Sequence, residues 1–143
     1  MHDKEYYIDE ADFSPEGLEI VSRLHQRFSS RSRQVLCGRN RNVFNMGRYV
    51  VKIPKNLDGI ADNDWEGSVS NGNDDPHEIR YARTRLAWVE ELPIVFMEWV
   101  EPATSIEIIQ RMGFEPDWVM SVDCGQVGFA RDGRLLAYDY GPR

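Results

Sequence analysis

The strongest constraint on how this chain folds lies between Asp123 and Arg143. Asp123-Cys-Gly-Gln-Val-Gly-Phe-Ala130 leads to Arg131-Asp132-Gly133, then to Arg134-Leu-Leu-Ala-Tyr138 and Asp139-Tyr140-Gly141. Asp-Gly between two short apolar runs is a hairpin turn signal, so this segment is expected to be two antiparallel strands. Asp123 precedes the hairpin and Asp139 follows it. A carboxylate at the end of Leu135-Leu-Ala-Tyr138 costs free energy to bury unless it is paired or metal-bound. Solvent exposure close to the C-terminus accounts for Asp139 equally well, and both readings stand.

Upstream, the pattern alternates between helix and strand signals. Ser14-Pro15-Glu16 opens a helix with a hydroxyl cap, a first-turn proline and an acid at the positive helix end. Leu18, Ile20, Val21, Leu24 and Phe28 give it an apolar stripe. Strands are expected at Gln34–Gly38 and in a hairpin, Asn42–Asn45 and Arg48–Ile53, around a Met46-Gly47 turn. In the latter strand Tyr49, Val51 and Ile53 share one face, and Val50 and Lys52 the other. The stretch from Asn56 to Pro76 is rich in Asp, Asn, Gly and Ser, with a short helix around Asn63–Ser68 and a loop at Ser70–Pro76. Two further strands, Tyr81–Glu90 and Pro93–Val100, precede a helix from Thr104-Ser105 to Gly113.

The composition excludes several classes. Seventeen Lys and Arg stand against 24 Asp and Glu, a net charge of -7, which argues against a uniformly basic nucleic-acid binder. No apolar run approaches the roughly 20 residues of a bilayer span. Cys37 and Cys124 form no metal motif and suit a reducing compartment. Cytoplasmic localisation is therefore expected.

The order of these features resembles the small lobe of a protein kinase extended by its catalytic hairpin. It is most similar to short kinase-like proteins of phages and bacteria. The resemblance runs from about Leu36 to Gly141 and is carried by Val50-Val-Lys-Ile-Pro-Lys55, Met97-Glu-Trp-Val-Glu-Pro102, Asp123-Cys-Gly-Gln-Val-Gly128 and Tyr138-Asp-Tyr-Gly141. It implies one α+β domain over 1–143. Residues 1–33 would be an N-terminal helical extension and 34–100 a small-lobe-like antiparallel sheet. Residues 101–143 would carry a helix and the catalytic-loop-like hairpin, with one or two helices in all beyond the first.

The resemblance also implies roles. Lys52 would reach the phosphates of ATP, with Val50 packing on the base and Glu66 orienting the ammonium; Glu78 is the second candidate for that acid. Met97 would line the back of the pocket, and backbone atoms of Glu98 and Val100 would face the adenine. Gly38 is what remains of the glycine loop, since Leu36 and Arg41 stand where two more glycines belong; Arg39 and Arg41 could supply charge there instead. Asp123 would orient the acceptor hydroxyl as base, and Asp139 with Gln126 would hold Mg²⁺. Read without the resemblance, Lys52 is more simply an edge-strand lysine and the acids a solvated face. The catalytic loop departs from the kinase pattern: Ser121 and Val122 precede Asp123, and Gln126 follows it by only three positions.

Two functions follow from the resemblance. The favoured one is a non-catalytic, pseudokinase-like module that binds nucleotide and acts by contacting a protein: a host factor in the host cytoplasm if phage-encoded, or a second copy of itself as a homodimer. The alternative is a minimal ATP- and Mg-dependent kinase acting on a protein or small molecule.

Overall fold

The computed structural model describes residues 5–69, 79–122 and 125–138. The first helix, α1 (Pro15–Ser29), starts where its cap predicts: the Ser14 hydroxyl accepts the Gly17 N–H at 3.0 Å. Its apolar stripe packs on Phe44, Val51, Ile53, Leu92 and Ile94 of the sheet that follows.

That sheet is built from β1 (Gln34–Cys37), β2 (Arg41–Asn45), β3 (Tyr49–Pro54), β4 (Thr84–Val89) and β5 (Leu92–Glu98), with α2 (Leu57–Val69) between β3 and β4. The strand order is β1-β2-β3-β5-β4 and every pairing is antiparallel. A second antiparallel sheet, β6-β7-β8, joins β6 (Val100–Pro102) to the C-terminal hairpin, β7 (Val127–Ala130) and β8 (Leu135–Ala137). Between β6 and β7 lies α3 (Ser105–Met112), opened by a Thr104–Glu107 capping box and closed by Gly113 at φ 87°. The fold is thus α+β with an antiparallel sheet, an N-terminal helix, two further α-helices and a C-terminal hairpin. Among the described residues no helix is long and apolar enough to cross a membrane.

Three boundaries differ from the sequence expectation by more than one residue, the last two for tertiary reasons. The second helix begins at Leu57 rather than near Asn63. The Asn56 side chain accepts the Gly59 N–H at 2.8 Å, and Asp12, far off in sequence, accepts the Leu57 N–H at 3.0 Å. The strand expected over Pro93–Val100 divides at Trp99, because Val100 pairs with Ala130 of the hairpin instead of continuing along β3. The strand expected from Tyr81 starts at Thr84, since Tyr81 bridges to Ala137 and Ala82 donates to the Ala137 carbonyl at 2.9 Å. The hairpin is therefore stitched into the domain on both sides. Gly128 makes the β6–β7 approach possible: a Cβ there would sit 2.0 Å from the Glu101 carbonyl oxygen. The Ser70–Pro76 loop lies outside the described residues.

Candidate functional site in a cleft between the two sheets

Alternation along β3 decides which side chains face the cleft. Val51 and Ile53 join the core beneath α1, while Val50 packs with Met97, Val100, Ala130 and Leu136 on the other side. Lys52 follows Val50 to that side and is only 3% exposed. Its ammonium donates to Glu66 at 2.5 Å and to the Tyr138 carbonyl at 2.8 Å.

Glu66, on α2, is fully enclosed and also accepts from the Arg41 guanidinium. Burial alone would raise its pKa. The neighbouring Lys52 and Arg41 cations, and the hydrogen bonds both donate, outweigh burial and hold the carboxyl below its ordinary value. Asn63, one helical turn earlier, ties the group together: it accepts from Arg41 at 3.1 Å and donates to the Lys52 and Pro93 carbonyls at 2.9 Å each. This amide clamps α2 onto β2, β3 and β5 at once.

In front of this cluster lies a cavity of about 240 Å³ with largely apolar walls. Gly38, Val50, Lys52, Met97, Val100 and Gln126 all line it, as do Arg41 and Trp99. Six residues expected around a nucleotide thus meet at one place, with Glu66 directly behind Lys52. Ala103 donates its N–H to Val127 at 3.1 Å, so alternation along β6 turns the backbone groups of Val100 away from β7. Glu98 does not border the cavity. Its N–H donates to the Arg83 carbonyl at 3.0 Å, and its carboxylate is held by the Arg83 N–H and by Arg134, both at 2.6 Å. Gln126 encloses its side-chain oxygen without a hydrogen-bond partner. Asp123, Asp139 and Glu78 lie outside the described residues, and among the described residues no group of three His, Cys, Asp or Glu side chains could hold a metal.

The β1–β2 turn over the cavity is short. Gly38 donates to the Arg41 carbonyl at 2.9 Å, leaving only Arg39 and Asn40 at the tip. The tip is fixed from outside: the Asn40 carbonyl accepts the Lys55 N–H at 3.0 Å, and the Asn40 amide donates to Asp62 at 3.1 Å. Gly59 permits this contact, because a Cβ on it would lie 2.1 Å from the Asn40 oxygen. Arg41 is consequently not a loop cation. It is a β2 residue, 7% exposed, whose guanidinium is engaged beneath the cavity. Sequence reasoning missed this and missed Asn63. The signal available was the three-residue spacing of Asn63 and Glu66, which puts both on one helix face.

Comparison with known proteins gives no family model, no curated protein and no solved structure that matches this chain.

Proposed function

We propose that this chain is a non-catalytic module of protein-kinase type, whose cleft accepts the base of a nucleotide and which acts by contacting another protein, a host factor if it is phage-encoded. Kinase-type phosphoryl transfer needs a β3 lysine paired with a helix glutamate and a flexible loop whose backbone covers the phosphates. Lys52 and Glu66 supply the first. The observation that carries the non-catalytic reading is the state of the second: the turn is two residues long, pinned to α2, and has Arg41 turned inward onto Glu66. At about 240 Å³ the cavity also falls below the roughly 300 Å³ where small-molecule sites begin, room for a base rather than a whole triphosphate.

A protein partner suits the surface beside α3. Ile106 is 68%, Ile109 48%, Phe114 58% and Met120 87% exposed, four large apolar side chains within fifteen residues of sequence, and exposed apolar surface of this kind is what a contact face uses. The competing reading, an ATP- and Mg-dependent kinase, has the 2.5 Å Lys52–Glu66 pair in its favour.

Labelled ATP with Mg²⁺ tests the choice. Incubated with the chain alone and with a basic acceptor protein, it should transfer no phosphate above the level of a Lys52→Met control. Transfer that depends on Lys52 overturns the non-catalytic reading. Melting with ATP at a thousandfold excess over Kd should still raise stability by about 4 kcal/mol, and no shift at millimolar ATP would remove the nucleotide from the proposal.

A further inference from the structure

A second cavity, of about 530 Å³, opens on the other side of Trp99. The chain carries a net charge of -7, yet this cavity is lined by Arg33, Arg48, Arg111 and Arg131 against a single carboxylate, Glu101. Glu101 is already engaged, accepting the Trp99 indole N–H at 3.2 Å. Among the described residues none of the four guanidiniums has an ion-pair partner.

The arginines are remote in sequence. Arg33 precedes β1, Arg48 lies in the β2–β3 turn, Arg111 lies in the last turn of α3, and Arg131 lies in the β7–β8 turn. Only the fold brings them together, and gathering like charges costs free energy unless an anion compensates them. Two lie against other parts of the cavity wall. The Arg111 guanidinium stacks 4.3 Å from the centre of the Phe129 ring. The Arg33 guanidinium lies over Gly47, where a Cβ would come within 3.0 Å of it. Planar guanidinium forks match the oxygens of a phosphate, which they bind in bidentate fashion.

From this convergence we infer that Arg33, Arg48, Arg111 and Arg131 form a receptor for a phosphate monoester carried on a side chain of a partner protein. A single dianion needs only the local field, whereas an extended nucleic acid would also meet the acidic remainder of the molecule. The cavity exceeds what a phosphate group fills, and its Trp99, Phe129 and Ala130 walls offer apolar contact to the residue that bears it. This site goes beyond the cleft reading and shares with the cleft only the Trp99 wall.

The test is fluorescence anisotropy of the full chain at about 0.15 M salt. The probes are a labelled neutral peptide with one phosphotyrosine, its phosphoserine counterpart, the unphosphorylated peptide, and a labelled oligouridine; inorganic phosphate serves as competitor. At least one phosphopeptide should bind about 10-fold or more tighter than the unphosphorylated form, since charge-assisted bonds are roughly twice as strong as neutral ones. Arg48→Ala and Arg131→Ala, both at exposed turn positions, should each weaken that binding about 10-fold without moving Tm, and Arg23→Ala, paired with Glu19 on α1, should leave it unchanged. Equal binding of phosphorylated and plain peptides overturns the proposal. So does inorganic phosphate competing at the same concentration as the phosphopeptide, which would assign the site to a soluble phosphate. Tighter binding of oligouridine than of either phosphopeptide overturns it in favour of RNA.

Discussion

Arg41 and Asn42 are neighbours on β2, and strand alternation sends their side chains to opposite faces of the same sheet. Each ends in a buried polar cluster, and the two clusters are built on different principles. On the cleft face Arg41 and Lys52 share the Glu66 carboxylate, with Asn63 filling the remaining bonds. On the α1 face Asn42 donates at 3.0 Å to Nε2 of His25, whose Nδ1–H donates to the Val21 carbonyl at 2.7 Å. That geometry requires a neutral ring. Tyr6 and Phe44 close around it, with ring centroids 5.1 and 5.5 Å away. Burial lowers the His25 pKa to about 4, and the hydrogen bond to Val21 opposes this only in part. The lesson is that the buried carboxylate and the two cations that share it face the cleft, while Lys55, buried against the Tyr7 ring, is the one buried cation outside that cluster among the described residues. On the α1 face the buried imidazole stays uncharged.

Breaking the ionic cluster should have the largest effect. Glu66→Gln leaves two buried cations without their shared carboxylate, a change that costs about 3–5 kcal/mol when one partner of a buried pair is removed. Urea unfolding of the variant measures it. A loss below about 1 kcal/mol would mean that water reaches these charges, since exposed pairs contribute only that much.

The neutral cluster is broken by acid. The unfolded chain protonates His25 near pH 6.5, the folded protein only near 4. Between those values the unfolded state binds more protons, so stability falls as pH falls. The contribution is complete above pH 6.5 and gone below about 4. The expected loss is about 3 kcal/mol across the window, near 1.4 kcal/mol per pH unit. His25→Leu should flatten that slope, and an unchanged slope would place the titration elsewhere. Glu66 acts lower: its pKa is depressed from the ordinary 4.5, so its stabilisation is present above that value and lost as pH falls through the folded pKa. The two clusters should therefore fail in sequence on acidification, the neutral one first.

This contrast also shows how far the sequence could be read. Alternation is a local property, so the assignment of Val50 and Lys52 to one face of β3, and of Val51 and Ile53 to the other, could be read directly. Ser14-Pro15 and Thr104-Ser105 carry their own caps, and the starts of α1 and α3 were legible for the same reason. The start of α2 was missed although Asn56 caps it locally on Gly59; only its second cap, Asp12, reaches it across space. Arg41 was misread as a loop residue, since a glycine-loop comparison fixes spacing but not whether the turn is tight. His25 sits in an apolar stripe with no neighbouring signal. Its partner, Asn42, comes from a strand that only the packed fold brings near. Pairings that depend on two elements docking leave no mark in either element alone.

The smallest expected effect concerns the joint between the cleft's edge and its base. Gly59 lies on α2 against the Asn40 carbonyl, and a methyl there would come 2.1 Å from that oxygen and 3.1 Å from the Pro54 Cα. Both obstacles are backbone, so the strain cannot be relieved by a side-chain rotation. Either α2 shifts outward or the β1–β2 turn lifts. Overpacking of this kind costs about 1–3 kcal/mol, less than the loss of Glu66. Gly59→Ala should destabilise by that amount while leaving the His25 acid window in place, because the α1 face does not depend on the joint. Hydrogen exchange tells the two responses apart. If the turn lifts, the Lys55 amide, which donates to Asn40 at 3.0 Å, exchanges faster and the amides of α2 stay protected. If α2 moves instead, its own amides lose protection and the Lys52–Glu66 pair loosens with them. The contacts favour the first outcome: Asn63 clamps α2 to three strands, whereas the turn is held by Lys55, Asn56 and Asp62 alone among the contacts reaching it from outside β1 and β2 within the described residues.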